Sequence, residues 1–295
     1  MFGKSRSLLA RYTFLFSDTF SFSFLLTSVI SMFIFEVFIV LPSLEEGILP
    51  TFFHVTLGTF IFINILSNLA FIMWTDSTTR KIISPAVLKP GWLFCAGCEA
   101  NSPVRSFHCS KCNVCTLKRD HHCAFSKCCI GLKNFRFYLL FLFYLAIGAL
   151  YAASFNMHFI WDFLGGFSVF SLAAHILPFI FFVFGYLSFR VFIYTLLSVL
   201  SVVGFLFVFG LLLIHTRQML QNQTSFEKNQ GINLYDLGWR KNIVESLGIK
   251  WYLTWVFPLL KSDLPSDGIS YPTNEKSNGV SEVINSNKNV RLRHL

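Results

Sequence analysis

Long apolar runs alternate with polar segments along this chain. Four of the runs reach the roughly 20 residues that a helix needs to cross a bilayer. They fall at about 19–42, 51–74, 135–157 and 191–214. A fifth apolar stretch, about 167–189, carries Pro178 and Gly185 and follows Gly165 and Gly166. These residues predict a broken segment, re-entrant or interfacial on the lumenal side, rather than a fifth crossing. The intervals between the runs divide the rest of the chain. They give an N-terminal segment (1–18), a two-span hairpin (19–74), a cysteine-rich loop (75–134), a second two-span region (135–214), a polar region (215–261) and a Ser/Asn/Asp/Lys-rich tail (262–295). The tail has the composition of a disordered segment.

Composition sharpens this picture. Hydrophobic residues make up 54% of the 295 and charged residues only 13%, against about a quarter charged in soluble domains. Phenylalanine alone contributes 37 residues, which suits lipid-facing helices and the walls of an apolar cavity. The net charge of +9 would fit nucleic acid or an anionic membrane surface, and the apolar runs favour the membrane. The first run follows Lys4, Arg6 and Arg11 and is too long for a cleaved leader, so it reads as a retained anchor. The connection between the first two runs holds Glu45 and Glu46 and no basic residue. The 75–134 loop carries Arg80, Lys81, Lys89, Arg105, Lys111, Lys118, Arg119, Lys127 and Lys133 against Asp76, Glu99 and Asp120. This asymmetry puts the N-terminus and the loop on the cytosolic side.

All eight cysteines lie between Cys95 and Cys129, mixed with histidines. Cys95, Cys98, His108 and Cys115 are separated by three, ten and seven residues, and Cys109, Cys112, His122 and Cys129 repeat those gaps fourteen positions later. Three thiolates and one imidazole are the ligands of a closed tetrahedral zinc site, so the two interleaved frames predict two structural zinc ions. The fold class that follows is an all-α polytopic membrane protein. It is a four-span helix bundle with a cytosolic zinc-bound domain between spans two and three. Asp120, His121, Cys123 and Cys128 are left outside the frames. Cys123 stands where a third frame would open, but Ser126 occupies its second ligand position, so Cys123 is a candidate nucleophile.

Asp120-His121-His122-Cys123, the preceding Cys/His pattern with Pro103 and Arg105, and the following Cys129, Gly131, Asn134 and Phe137 resemble the DHHC family of protein S-palmitoyltransferases. Thr224-Ser225-Phe226-Glu227 is similar to the family's Thr-Thr-x-Glu motif. Tyr235, Gly238 and Asn242 resemble its C-terminal aromatic/asparagine motif. The resemblance implies an enzyme that takes a palmitoyl or other long-chain acyl group from acyl-coenzyme A as a thioester on Cys123. It then passes that group to cytosolic cysteines of membrane-associated proteins, by ping-pong kinetics. His121 would act as base, oriented by Asp120, and His122 would bind zinc. The acyl chain would lie among the membrane helices and basic loop residues would meet the coenzyme A phosphates. The partners are then acyl-CoA, substrate proteins and the bilayer, without nucleic acid, and the family suggests a Golgi or endoplasmic reticulum membrane.

Ala124-Phe125 replaces the family's usual Pro-Trp, and Cys128 replaces an asparagine. Cys128 reads as a packed bystander or as a second acylation or oxidation site. Two other classes of function compete. One is a catalytically impaired zinc scaffold or accessory protein of the same architecture, and the other is a membrane-tethered zinc finger. Thr224 and Glu227 read either as architectural residues or as an ordinary capping box. Glu36 and His54 sit at similar depth and are a candidate pair, with snorkelling of Glu36 as the alternative. Asn64 and Asn68 suggest interhelical hydrogen bonds. Trp251, Tyr252, Trp255 and Phe257 suit a membrane interface.

Overall fold

The computed structural model describes residues 2–44, 47–82, 85 and 87–274, with side chains from Phe16 onward. Glu45, Glu46, the side chains of Lys4, Arg6 and Arg11, and residues 275–295 of the expected disordered tail lie outside the described residues. In chain order, α1 (Phe2–Phe35) runs on through a π-helical turn, Glu36–Val40, and α2 is Ile48–Trp74. Six three-residue strands follow: β1 (Leu93–Cys95), β2 (Ala100–Ser102), β3 (Phe107–Cys109), β4 (Val114–Thr116), β5 (His121–Cys123) and β6 (Cys128–Ile130). They pair as three antiparallel hairpins. Then come α3 (Phe135–Phe163), α4 (Val169–Ile176), α5 (Pro178–Val183), α6 (Phe189–Leu220), α7 (Ser225–Asn229), α8 (Trp239–Leu247) and α9 (Trp251–Thr254).

Segments Phe16–Ser43, Ile48–Trp74, Phe135–Phe163 and Phe189–Leu220 are long and apolar enough to cross a membrane. They match the four runs read from the sequence and extend each of them. The all-α expectation needs correction because of the hairpins. A strand of three residues is too short to display an alternation of period two, so the sequence pattern passes over it. The stretch at 167–189 forms α4 and α5, eight and six residues long, too short to cross. Pro178 opens α5 at its first turn, where its missing N–H is harmless.

The chain divides into two compact units. In the unit of residues 21–68 and 139–213, Phe35, Val40, Phe159 and Ile160 form a buried cluster, with Tyr194 packed on it. His54 Nδ1 meets the Tyr151 hydroxyl, and Glu36 lies beside Asn156. The expected interhelical role of Asn64 and Asn68 is not what their amides do. Both donate backwards along α2, to the carbonyls of Phe60 and Asn64, because an amide four residues beyond a carbonyl reaches it without leaving its own helix.

The second unit comprises 1–20, 69–138 and 214–295 and contains the hairpins. Each begins fourteen residues after the last, and the same turn position carries left-handed backbone in all three, at Glu99 (φ 50), Asn113 (φ 51) and Lys127 (φ 56). The third hairpin thus keeps the backbone of the other two although its ligand frame fails. Asn134 fastens it to the helix ends: its Oδ1 accepts from Gly131 N at 2.8 Å, and its Nδ2 donates to the carbonyls of Cys129 and Ile72. At Gly131 a Cβ would come within 2.5 Å of the Leu117 carbonyl oxygen, so no side chain fits there.

Residues 262–274, expected to be disordered, are seated in this unit. Ser262 Oγ donates to the Leu247 carbonyl, Asn274 N donates to the Leu234 carbonyl at 2.9 Å, and the Tyr271 ring lies 4.9 Å from the Arg105 guanidinium. Polar composition hides a segment whose few aromatic and small residues find specific partners. Arg105 is 2% exposed, and its Nε and Nη2 each donate at 2.7 Å to the Glu227 carboxylate, while the Tyr235 ring stacks on its guanidinium at 4.0 Å. Removing one partner of such a pair strands a buried charge at a cost of about 3–5 kcal/mol. Glu227→Gln is therefore expected to lower the thermal unfolding midpoint of the purified protein substantially. A midpoint like that of the unsubstituted protein would show that the pair contributes little.

Candidate active site

The hairpins assemble both ligand frames. In the first, His108 Nδ1 lies 3.5 Å from Cys95 Sγ and 3.4 Å from Cys98 Sγ, and the sulfurs of Cys98 and Cys115 are 3.7 Å apart. In the second, His122 Nδ1 lies 3.7, 3.3 and 3.8 Å from the sulfurs of Cys109, Cys112 and Cys129, and the last two sulfurs are 3.7 Å apart. At Zn–S of about 2.3 Å and Zn–N of about 2.0 Å, a tetrahedral centre separates its sulfurs by about 3.8 Å and sulfur from nitrogen by about 3.6 Å. A disulfide would bring two sulfurs to about 2.05 Å, and all eight cysteines are free thiols. Each group of four could hold zinc, and the donor distances fit that metal without rearrangement.

The second frame has a support that the sequence does not reveal. His122 Nε2 donates to Asp18 Oδ2 at 2.8 Å, and Lys111 Nζ donates to the other oxygen of Asp18 at 3.1 Å. With the proton held on Nε2, Nδ1 is left free to ligate a metal, and the ring plane is fixed. The one sequence signal for this role is an acid at the edge of an apolar run, and in the fold Asp18 is only 5% exposed.

Asp120, His121 and Cys123 come together on the third hairpin. Asp120, 8% exposed, precedes β5. Its Oδ2 accepts from His121 Nδ1 at 2.7 Å, and its Oδ1 accepts from the Ser225 backbone N–H at 2.6 Å. That N–H belongs to the first turn of α7, whose start is a reciprocal capping box between Thr224 and Glu227. Both readings of the Thr-Ser-Phe-Glu string therefore hold, since the capping box is also the architecture that aims a backbone donor at Asp120. Glu227 does this while binding Arg105, and the two roles share one carboxylate.

The electrostatics follow from this geometry. Burial alone would raise the Asp120 carboxyl, but the hydrogen bond and charge of His121 hold it below its ordinary value. Burial would lower His121, yet the Asp120 hydrogen bond, and then Cys123, raise it to about 9. Burial opposes ionisation of Cys123, and hydrogen bonds with His121 and Ser126 overcome it, lowering the thiol. Cys128 lies directly across the hairpin from Cys123, and burial pushes its thiol up to about 11. Its sulfur contacts the Ser126 hydroxyl and the Ile72 carbonyl. The two neighbouring thiols are thus tuned in opposite directions, which suits the packed reading of Cys128.

One further side chain enters this site. His215, near the end of α6, stacks on His121 with ring centroids 5.2 Å apart, and its Nδ1 lies 3.6 Å from Asp120 Oδ2. Tyr138 packs edge-on against both rings. In the sequence His215 only marks where composition turns polar. Its ninety-five-residue distance from Asp120 leaves no local pattern to detect.

Comparison with known proteins points to one family. A model of the DHHC palmitoyltransferase family matches residues 89–232. The mouse (Mus musculus) protein named probable palmitoyltransferase ZDHHC24 is 33% identical over 237 residues, covering 77% of this chain and 81% of that protein. Its zebrafish (Danio rerio) namesake is 37% identical over 220 residues, covering 74% and 75%. Probable protein S-acyltransferase 12 of Arabidopsis thaliana is 32% identical over 197 residues, covering 61% and 60%.

Proposed function

Because this chain belongs to the DHHC palmitoyltransferase family and is a protein S-palmitoyltransferase, we propose that Cys123 carries the acyl group, with His121 as its base and Asp120 orienting that base. The observation that carries the assignment is the buried line from the Ser225 N–H through Asp120 to His121, beside a thiol that no ligand frame uses. The Cys123 thiolate attacks the thioester carbonyl of acyl-coenzyme A, and the departing coenzyme A thiolate takes the proton held on His121. A substrate cysteine then gives its proton to His121 as its sulfur attacks the acyl-enzyme, and Cys123 is released. Asp120 keeps the His121 Nδ1 proton in place throughout, so that the other nitrogen faces the sulfur.

Cys95, Cys98, His108 and Cys115 would hold one zinc, and Cys109, Cys112, His122 and Cys129 the other. With four protein ligands each, the ions would cross-link the hairpins and leave no position for substrate. The protein is a multi-pass membrane protein, and the excess of lysine and arginine in 75–134 supports a cytosolic position for this domain and for residues 215–261. Its substrates are then membrane-associated proteins with cytosolic cysteines, and the membrane is that of the Golgi or endoplasmic reticulum.

Incubating the protein with labelled palmitoyl-coenzyme A and no acceptor is expected to give a hydroxylamine-labile acyl group on the peptide containing Cys123. Initial rates with acceptor should give the parallel double-reciprocal lines of ping-pong kinetics. Label on Cys128 instead, or no acyl-enzyme, would overturn the assignment. A second expectation concerns Asp18. Loss of a ligand's hydrogen-bond partner costs about 10–100-fold in metal affinity, so Asp18→Asn should release one of two zinc ions faster to a chromogenic chelator. Equal release of both ions would remove Asp18 from this role.

A further inference from the structure

We propose that Asp120, His121 and His215 form a third metal site, through which free zinc switches the enzyme off reversibly. The inference rests on the assignment of His121 as base for its effect on activity, but not for the binding itself. The donor atoms of the three residues lie within 4.8 Å of one another. A carboxylate and two imidazoles are the protein ligands of zinc sites that keep a fourth position open, and borderline divalent metals prefer them to calcium or magnesium.

The second observation is His215 itself. Its side chain is 8% exposed, its Nδ1 has no hydrogen-bond partner of normal geometry among the described residues, and that nitrogen faces Asp120 Oδ2 at 3.6 Å. Leaving a buried donor or acceptor without a partner costs about 1–3 kcal/mol. The acyl-transfer steps make no use of this nitrogen, whereas a cation between it and Asp120 would satisfy it. This site is also separate from the zinc frames. The third hairpin has a serine, Ser126, where the other two supply their second cysteine, so it does not repeat their ligand frame.

The effect on catalysis follows from proton placement. Metal on Nδ1 of a His121 that holds a proton on each nitrogen, as the first transfer step requires, displaces the proton now shared with Asp120 and releases it to solvent. The remaining imidazole then carries its proton on the other nitrogen and has no lone pair left to take one from a thiol. Acyl transfer stops until the metal leaves.

The test uses the full chain in detergent or nanodiscs, loaded with two zinc ions, and titrates buffered zinc while bound metal and acyl-enzyme formation are both measured. A third equivalent should bind, with release of a proton, and acylation should fall with the same midpoint and recover on adding a weak chelator. His215→Phe should keep two equivalents and lose the third, and its residual acylation should need about tenfold more zinc, or higher, for half-inhibition. Should that variant fail to hold two ions, His215→Gln serves in its place, with the same expectation. Saturation of the unsubstituted protein at two equivalents, or retention of the third by the His215 variant, would overturn the proposal. A third equivalent bound by a protein that never forms the Cys123 thioester would instead count against the acyl-enzyme assignment alone.

Discussion

Cys123→Ser is expected to leave a protein that folds, holds two zinc ions and forms no hydroxylamine-labile acyl group. A thiol of ordinary pKa near 8.5 is within reach of neutral pH, and the thiolate is the nucleophile. The Cys123 thiol is lowered further by its contacts with His121 and Ser126. A serine hydroxyl has no comparable anion to offer, and any ester it formed would resist neutral hydroxylamine. The oxygen can still bond to Ser126 and His121, and position 123 ligates neither zinc frame, so the fold has no reason to change. Cys128→Ser is the matched control. Its thiol is pushed up to about 11 and contacts only Ser126 and a backbone carbonyl among the described hydrogen bonds, so acylation should persist. Activity retained by the Cys123 variant and lost by the Cys128 variant would reverse the roles given to the two sulfurs.

Removal of zinc is expected to unfold the hairpin domain as a unit. Each hairpin pairs two strands of three residues, and an isolated two-stranded hairpin is marginal even when longer. Bound zinc would therefore supply most of the local stability, on the order of 10 kcal/mol per site or more. Treatment with a strong chelator, or Cys112→Ala, should make the 75–134 segment a target for proteolysis. Alkylation should then extend from Cys123 to all the cysteines. The acyl-enzyme should be lost with it, because the third hairpin shares β5 with the ligand His122 and β6 with the ligand Cys129. A chelated protein that stays resistant to protease and still takes up palmitate would show that hairpin packing suffices without metal.

The two expectations differ in how much of their basis is legible in the amino-acid sequence. The fourteen-residue period of the ligands is visible there because the two thiols of one turn are only three positions apart and the chain between them is a tight loop. The same period reappears in the backbone, down to the left-handed residues at 99, 113 and 127. The reading that Cys123 opens a frame broken by Ser126 thus corresponds to a real third hairpin. The strands themselves leave no trace in the sequence, since three residues carry no recognisable alternation. Disorder was the wrong expectation for residues 262–274, because their anchoring depends on a few residues such as Ser262 and Tyr271 rather than on average polarity.

What the sequence by itself determined is therefore local: four apolar runs long enough for a bilayer, two tetrahedral ligand sets, and two sulfurs left over, Cys123 and Cys128. The tertiary structure alone decided how Asp120 is held, by a Ser225 N–H 105 positions away and with the His215 ring at its side. It also decided that Asp18 reaches His122 across 104 positions and that Glu227 reaches Arg105 across 122. The physical reason is one of range. Metal-ligand spacing is set by the reach of a short turn, which composition and gaps record directly. The partner of a buried carboxylate depends instead on which distant helix ends the folded chain brings together.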